Sequence, residues 1–273
     1  MPTIGSALDR ASARLNGHSA RSDTEVLLRH VTGLSRTELL LKLDRELDQE
    51  SSTTYYQLID RFEAGEPLQY LTGHMEFYGL DFYVNRSVLI PRPETEIMVE
   101  KAIEIGKRYP TPIIADVGSG SGAVAVTLAK HLPQSRVIAL DVSTAALEIA
   151  RRNAARPECT NIEFIKSDLL GAVPDRHFDI ICANLPYVPS AESQSNRFEP
   201  QLALDGGPDG LNAIHRLIRQ MSSREDKPEW LLLEFGTGQA PAVKSILDKT
   251  FPGSQTEILR DFIPLDRISV TKL

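Results

Sequence analysis

Apolar residues recur near the amino terminus at helical spacing: Ile4, Leu8, Ala11 and Leu15 fall three or four positions apart, as on one buried helix face. Ser22 with Glu25, and Ser35 with Glu38, have the spacing of capping boxes and predict two further helix starts, with Gly33 and Gly65 as stops. This stretch has no alternating strand pattern and no cluster of reactive side chains. Residues 1–73 are therefore expected to form a small helical bundle that serves as a docking or lid domain.

The pattern changes at Glu76 to Val84, where aromatic and β-branched residues flank Gly79 and predict two short strands joined by a tight turn. This β-hairpin reads as a connector over residues 74–91. In the tract Leu89 to Glu96, Pro91 and Pro93 fix extended backbone, and Glu94 or Thr95 is placed to begin a helix reaching about Gly106.

Beyond Pro112 the two periods alternate. Ile113 to Val117, Arg136 to Leu140, Ile162 to Ile165, Phe178 to Ala183 and Trp230 to Phe235 read as strands. Gly122 to His131, Thr144 to Ala154, Gly210 to Met221 and Gln239 to Lys249 read as helices between or after them. Thr256 to Leu259 and Arg267 to Thr271, with a short link, read as an antiparallel edge pair. The expected fold is α/β: a mostly parallel, seven-stranded, Rossmann-like sheet covered on both faces, over residues 92–273.

Composition narrows the functions open to this fold. A chain of 273 residues, 41% hydrophobic, can bury the cores of two domains. Its formal charge of -7 argues against holding nucleic acid by bulk phosphate neutralisation, so stable nucleic-acid binding is not expected. Cys159 and Cys182 form no C-x-x-C pair and read as reduced thiols. Asp9, Arg10 and Arg14 precede any apolar run, and no uncharged stretch approaches the roughly 18 residues of a membrane helix, so a cytoplasmic protein without membrane attachment is expected. No metal is expected.

Asp116-Val117-Gly118-Ser119-Gly120-Ser121-Gly122 follows a strand and opens a helix, as a nucleotide cradle does. Gly118, Gly120 and Ala123 also satisfy G-x-G-x-x-A, so the loop alone fits either a nicotinamide cofactor or S-adenosylmethionine. Asp141, about twenty residues on at a strand end, is positioned for ribose hydroxyls. Asp168 could bond an adenine amino group, with Leu169 covering the ring, or simply cap a turn. Asp116 tilts the choice toward S-adenosylmethionine, because a carboxylate at the loop's start suits a methionine ammonium better than a pyrophosphate.

At the end of the fourth strand stands Asn184-Leu185-Pro186-Tyr187. Asn184 offers a side-chain carbonyl, Leu185 a backbone carbonyl before a fixed proline, and Tyr187 an aromatic face; together they can hold a planar NH2 group. An amide or arylamine nitrogen is a poor nucleophile because its lone pair is delocalised. Two acceptors on its hydrogens would aim that lone pair at a sulfonium methyl and stabilise the positive charge that develops. The same four residues could also be a strand-ending turn; the glycine loop and acidic strand end upstream favour the site.

These motifs, with Glu76 to Gly79, Arg92-Pro93-Glu94-Thr95-Glu96, Glu199-Pro200, Leu204 to Leu211, and Leu233-Glu234 with Gln239, strongly resemble the release-factor glutamine methyltransferases, or protein-(glutamine-N5) methyltransferases, over nearly the whole chain. The resemblance implies a class I methyltransferase that uses S-adenosylmethionine to methylate the glutamine of the Gly-Gly-Gln motif in peptide-chain release factors, with an amino-terminal helical domain gripping that protein substrate. Carried over, Gly118, Ser119, Gly120, Ser121, Gly122, Asp141, Leu169 and Asn184 would contact the cofactor, beside the Asp116 and Asp168 read above from their chemistry, and Asn184, Leu185, Pro186 and Tyr187 the glutamine. Two positions depart from the family: Leu185 stands where proline is usual, and Phe262-Ile263-Pro264-Leu265 where a small residue and glycine are usual.

Asn-Leu-Pro-Tyr is also similar to the site of ribosomal RNA adenine dimethyltransferases, so methylation of adenine N6 in RNA or DNA is the alternative reading. The acidic charge and the Arg92 to Glu96 tract count against it. A nicotinamide oxidoreductase is weaker, for want of a Ser-Tyr-Lys or His-based hydride-transfer set.

Overall fold

Thr3 and Ser35 set where the first helices begin. The Thr3 hydroxyl accepts the Ser6 N–H and opens α1 (Ile4–Arg14). Ser35 and Glu38 form the expected reciprocal capping box of α3 (Arg36–Leu41). These are details of a computed structural model that describes residues 1–15 and 19–273.

Ser22 does not cap. It lies inside α2 (Ala20–Thr32), where its hydroxyl donates back to the Ser19 carbonyl, and Glu25 instead faces Arg36 at 3.3 Å. Gly33 ends α2 in the left-handed conformation. Asp48 caps α4 (Gln49–Glu63), and α5 (Leu68–Thr72) follows. Ile4, Leu8, Leu27, Leu28, Tyr55 and Ile59 are wholly or almost wholly buried in one core, each contributing roughly 1.5–3 kcal/mol of burial free energy. Met1–His74 is one compact unit and Met75–Leu273 another.

At the start of the second unit comes the hairpin β1 (His74–Phe77) and β2 (Leu80–Tyr83). Tyr78 and Gly79, at φ 52° and 74°, form its left-handed turn, which suits the strands' twist. Asn153 holds the hairpin as a neighbouring strand would, accepting from Tyr83 N and donating to Tyr83 O. It also donates to Ser121 O in the glycine loop.

The large unit then runs α6 (Thr95–Gly106), β3 (Ile113–Val117), α7 (Ala123–His131), β4 (Arg136–Asp141), α8 (Thr144–Ala155), β5 (Ile162–Lys166), β6 (Ile180–Ala183), α9 (Ser190–Ser193), α10 (Gln201–Leu204), α11 (Asn212–Ser222), β7 (Trp230–Glu234), α12 (Ala240–Thr250), β8 (Gln255–Arg260) and β9 (Asp266–Lys272). The strands lie in the order β5-β4-β3-β6-β7-β9-β8, parallel from β5 through β7, with β9 antiparallel to both neighbours. Side chains alternate to two apolar layers: Ile114 and Leu232 face the layer containing α6 and α7, while Ala115 and Leu231 face that containing α11 and α12. Burial on both faces explains why β3, β4, β6 and β7 read as near-continuous apolar runs, whereas the edge strands β5 and β8 are partly exposed.

The chain moves from β3 outward to β4 and β5, then returns across β3 to β6. The switch point is therefore the gap between the carboxyl ends of β3 and β6, where open α/β sheets admit ligands.

Candidate active site

Val117 pairs with Ala183 across that gap, so Gly118 and Asn184 leave the sheet side by side. Gly118 N and Ser119 N both donate to Leu140 O, at 2.8 and 3.0 Å, and fold the loop back over β4. Asp141 ties it down: its Oδ2 accepts the Gly120 N–H at 2.8 Å while Oδ1 accepts the Ser143 N–H at 2.8 Å. Gly120 has φ 53° and leaves space on its Cα, since a Cβ there would meet nothing nearer than Gly118 O at 4.0 Å. Gly122 is different. It sits at φ 81° before α7, and a Cβ would come within 2.9 Å of Ala150 Cβ, so it serves helix packing.

Asp116 is buried beneath the loop, with Oδ2 accepting the Ala125 N–H at 3.1 Å. Burial pushes its carboxyl up to about 7, a cost that an ammonium partner would relieve. Burial also raises Asp141. Asp168 is exposed, and Arg216 pairs with its Oδ2, which leaves Oδ1 to accept from a ligand. Leu169 takes φ 53°, a conformation its neighbours impose: Ser167 Oγ donates to Leu169 O and Gln220 accepts from Leu170 N.

On the β6 side, Asn184 Nδ2 donates to Thr95 Oγ1 at 3.0 Å, and Thr95 Oγ1 donates to Glu234 Oε2 at 2.6 Å. Tyr187 donates its hydroxyl to Glu234 Oε1 at 3.1 Å. Glu234, at the end of β7, is only 1% exposed and its carboxyl is raised to about 6 by burial. Neither Asn184 Oδ1 nor Leu185 O accepts a hydrogen bond among the described residues, and Asn184 Oδ1 is not among the buried unpaired atoms, so it opens to accessible space.

The tract from Leu204 to Asn212 clasps this segment. Gly206 N donates to Val188 O, and Gln239 bonds Tyr187 O and Asp209 O at 3.0 and 2.9 Å. A Cβ on Gly210 would fall 2.1 Å from Tyr187 O, which is why the tract needs glycine there.

One cavity, with about 1190 Å³ of empty space counting its solvent-open part, joins the two halves. Of the sequence-derived candidates, Asp116, Gly118, Ser119, Gly120, Ser121, Asp141, Asp168, Leu169, Asn184, Leu185 and Pro186 line it. Gly122 and Tyr187 do not: the first is turned to α8 and the second toward Glu234. Thr95, Arg92 and Arg216 line it too; in the sequence Thr95 shows only as a helix start within the Arg92 to Glu96 tract. Glu234 stands in the sequence within a family motif that assigns it no role. Its position at a strand's carboxyl end, like that of Asp141 and Asn184, was the available signal.

Residues 6–73 match the family model described as the PrmC N-terminal domain, and residues 96–200 match that of the methyltransferase small domain. A protein of Moorella thermoacetica named release factor glutamine methyltransferase is 40% identical over 273 residues, covering 97% of this chain and 96% of its own length. One of the same name from Koribacter versatilis is 42% identical over 254 residues, 90% of each chain. Among solved structures, the hMettl16 catalytic domain in complex with MAT2A 3'UTR hairpin 6 superposes with a TM-score of 0.59 at 14% identity, covering 82% of each chain. A methyltransferase from Pyrococcus furiosus superposes with a TM-score of 0.51 at 18% identity, covering 72% of this chain and 89% of its own. At these identities the two structures speak to the fold alone, a class I methyltransferase fold.

Proposed function

This chain belongs to the release factor glutamine methyltransferase family, and on that premise we propose that it transfers a methyl group from S-adenosylmethionine to the side-chain amide nitrogen of the glutamine in the Gly-Gly-Gln motif of peptide-chain release factors. It is an S-adenosylmethionine-dependent methyltransferase. Relatives matching 90% or more of the chain are named for glutamine methylation, which disfavours adenine N6 as the acceptor.

The cavity's residues fit this cofactor. S-adenosylmethionine, when bound, supplies an electrophilic methyl carbon on a sulfonium. Asp116, buried and short of a cation, suits the ammonium of the methionine moiety. Asp141 spends one lone pair on Gly120 N and one on Ser143 N, and keeps lone pairs to accept from ribose hydroxyls. Leu169 offers an apolar face to adenine. Asp168 would share its carboxylate between the adenine amino group and Arg216.

The observation that carries the substrate reading is the pair of unpartnered acceptors, Asn184 Oδ1 and Leu185 O, on adjacent residues lining one cavity. A carboxamide NH2 presents two hydrogens in a plane, and two acceptors on them leave the nitrogen's π lone pair directed out of that plane. No strong base is needed, since positive charge builds on nitrogen only as the new N–C bond forms; the S–C bond's electron pair would leave with S-adenosylhomocysteine, and one N–H proton would then pass to water. The carbonyl dipoles then bind the charged group more tightly than the neutral amide, which lowers the barrier. Leu185 supplies this carbonyl as well as the family's usual proline does. Tyr187 holds its own segment against Glu234 and Gln239.

The Met1–His74 unit is assigned to gripping the release factor, in a cytoplasmic enzyme without stable nucleic-acid contacts. Among the described residues no helix is long and apolar enough to cross a membrane. The test is Asn184→Ala: transfer of labelled methyl to a release factor should fall by a factor on the order of 10² or more, with cofactor binding still measurable. Wild-type turnover in that variant would refute the assignment.

A further inference from the structure

We infer that Glu234 and Thr95 form a positioning relay that fixes which end of the Asn184 amide faces the cavity. Both residues would then govern turnover by acting through Asn184. The inference rests on the role given to Asn184 above.

The two ends of an asparagine amide have nearly the same shape, so packing alone barely distinguishes them; the partner of each end must do so. An ionised carboxylate can only accept, hence both hydroxyls on Glu234, those of Thr95 and Tyr187, must donate to it. Thr95 has a single hydroxyl hydrogen, and it is spent at 2.6 Å on Glu234. Its oxygen can then only accept, and what it accepts is the Asn184 NH2 at 3.0 Å. The carbonyl end of Asn184 is left for the cavity. Reversed, the amide would present N–H groups to a substrate whose own N–H groups need acceptors, a mismatch that leaves polar groups unpaired on both sides.

Backbone register makes the relay local. Leu233 lies beside Ala183, so Glu234 and Asn184 are the next residues out on neighbouring strands, and Thr95 begins the helix packed over them. Energetics argue that Glu234 is not there for stability. Among the described residues no cation bonds it, and a nearly fully buried carboxylate with only two hydroxyl partners is poorer for folding than an apolar side chain of similar size.

The test compares Thr95→Ser, Thr95→Val and Glu234→Gln with the wild type in the full chain, using a purified release factor and labelled cofactor. Thr95→Ser keeps the donor and acceptor and should hold kcat near the wild-type value. Thr95→Val removes both and should lower kcat on the order of 10-fold or more, a larger change than in release-factor KM or cofactor Kd. Glu234→Gln, nearly isosteric, removes the obligatory acceptor and should lower kcat while the thermal midpoint at pH 7 does not fall. Equal kcat in Thr95→Val and wild type, or equal losses in Thr95→Val and Thr95→Ser, would overturn the relay. A second readout is independent of turnover: the side-chain NH2 resonances of Asn184, assigned by their loss in Asn184→Asp, should move in Thr95→Val and Glu234→Gln and stay in Thr95→Ser. Unmoved resonances in Thr95→Val also overturn it. If the wild type methylates no release factor, the functional reading falls, and the resonances alone decide the relay.

Discussion

Asp141 Oδ2 accepts the Gly120 N–H at 2.8 Å, so the carboxylate assigned to the ribose is also the strut that shapes the glycine loop. Its other oxygen holds Ser143 N at the start of α8. One side chain thus couples the loop, the strand end and the next helix.

Asp141→Ala should therefore do two things. Cofactor Kd, by calorimetry, should rise at least on the order of 10-fold, and stability should fall by roughly 1–3 kcal/mol as Gly120 N and Ser143 N lose their acceptors. An unchanged Kd would remove Asp141 from the cofactor site.

The loop's glycines should separate. Gly122→Ala combines φ 81° with a 2.9 Å approach to Ala150 Cβ, and should cost about 1–3 kcal/mol in unfolding experiments. Gly120→Ala meets no close neighbour and should cost only the roughly 1 kcal/mol of the left-handed backbone, while weakening cofactor binding because the methyl fills the cradle. Equal destabilisation by the two would contradict the division between packing glycine and ligand glycine.

Burial of Glu234 has a pH signature. Its carboxyl is raised from 4.5 to about 6 in the folded chain, so the folded state binds its proton more tightly than the unfolded state. The associated stability is fully present below pH 4.5 and lost as pH rises through about 6. Measured against Glu234→Gln, in which position 234 does not titrate, the wild type should gain on the order of 2 kcal/mol between pH 7 and pH 4.5. A flat difference would show that Glu234 is not held in a desolvated setting. Glu94 raises and Arg267 lowers the same carboxyl, so substitutions there should shift the midpoint in opposite directions.

Much of this was legible in the sequence, for identifiable reasons. Ile113 to Val117 and its parallel partners are buried on both faces and flanked by helical periods, so their strands and order class could be read directly. Asp116, Asp141 and Asn184 stand at strand ends, where chain direction alone puts them on one edge of the sheet. Ser22 misled because capping-box spacing says nothing about where the preceding turn starts, and α2 starts at Ala20. Thr95 and Glu234 could not be paired by spacing, since they meet through the register of β6 with β7 and the packing of α6. The departure at Phe262 to Leu265 proves to be an exposed turn, its ends tied by Asp261, which accepts from Ile263 N, Leu265 N and Arg267. Nothing in the structure gives that departure a functional role.

The helical unit has its own core, and so does the sheet unit. A chain beginning at Met75 should keep cofactor binding and lose most methylation of intact release factor. Full activity in that chain would deny the helical unit its gripping role.

The central claim is that an amide nitrogen held by Asn184 and Leu185 receives the methyl group. The most direct measurement incubates the wild-type chain with isotopically labelled S-adenosylmethionine and a purified release factor, then locates the label by fragmentation mass spectrometry. The expected result is one methyl on the side-chain nitrogen of the Gly-Gly-Gln glutamine, absent with Asn184→Ala. A methyl found on another residue, or none with cofactor demonstrably bound, would contradict the account.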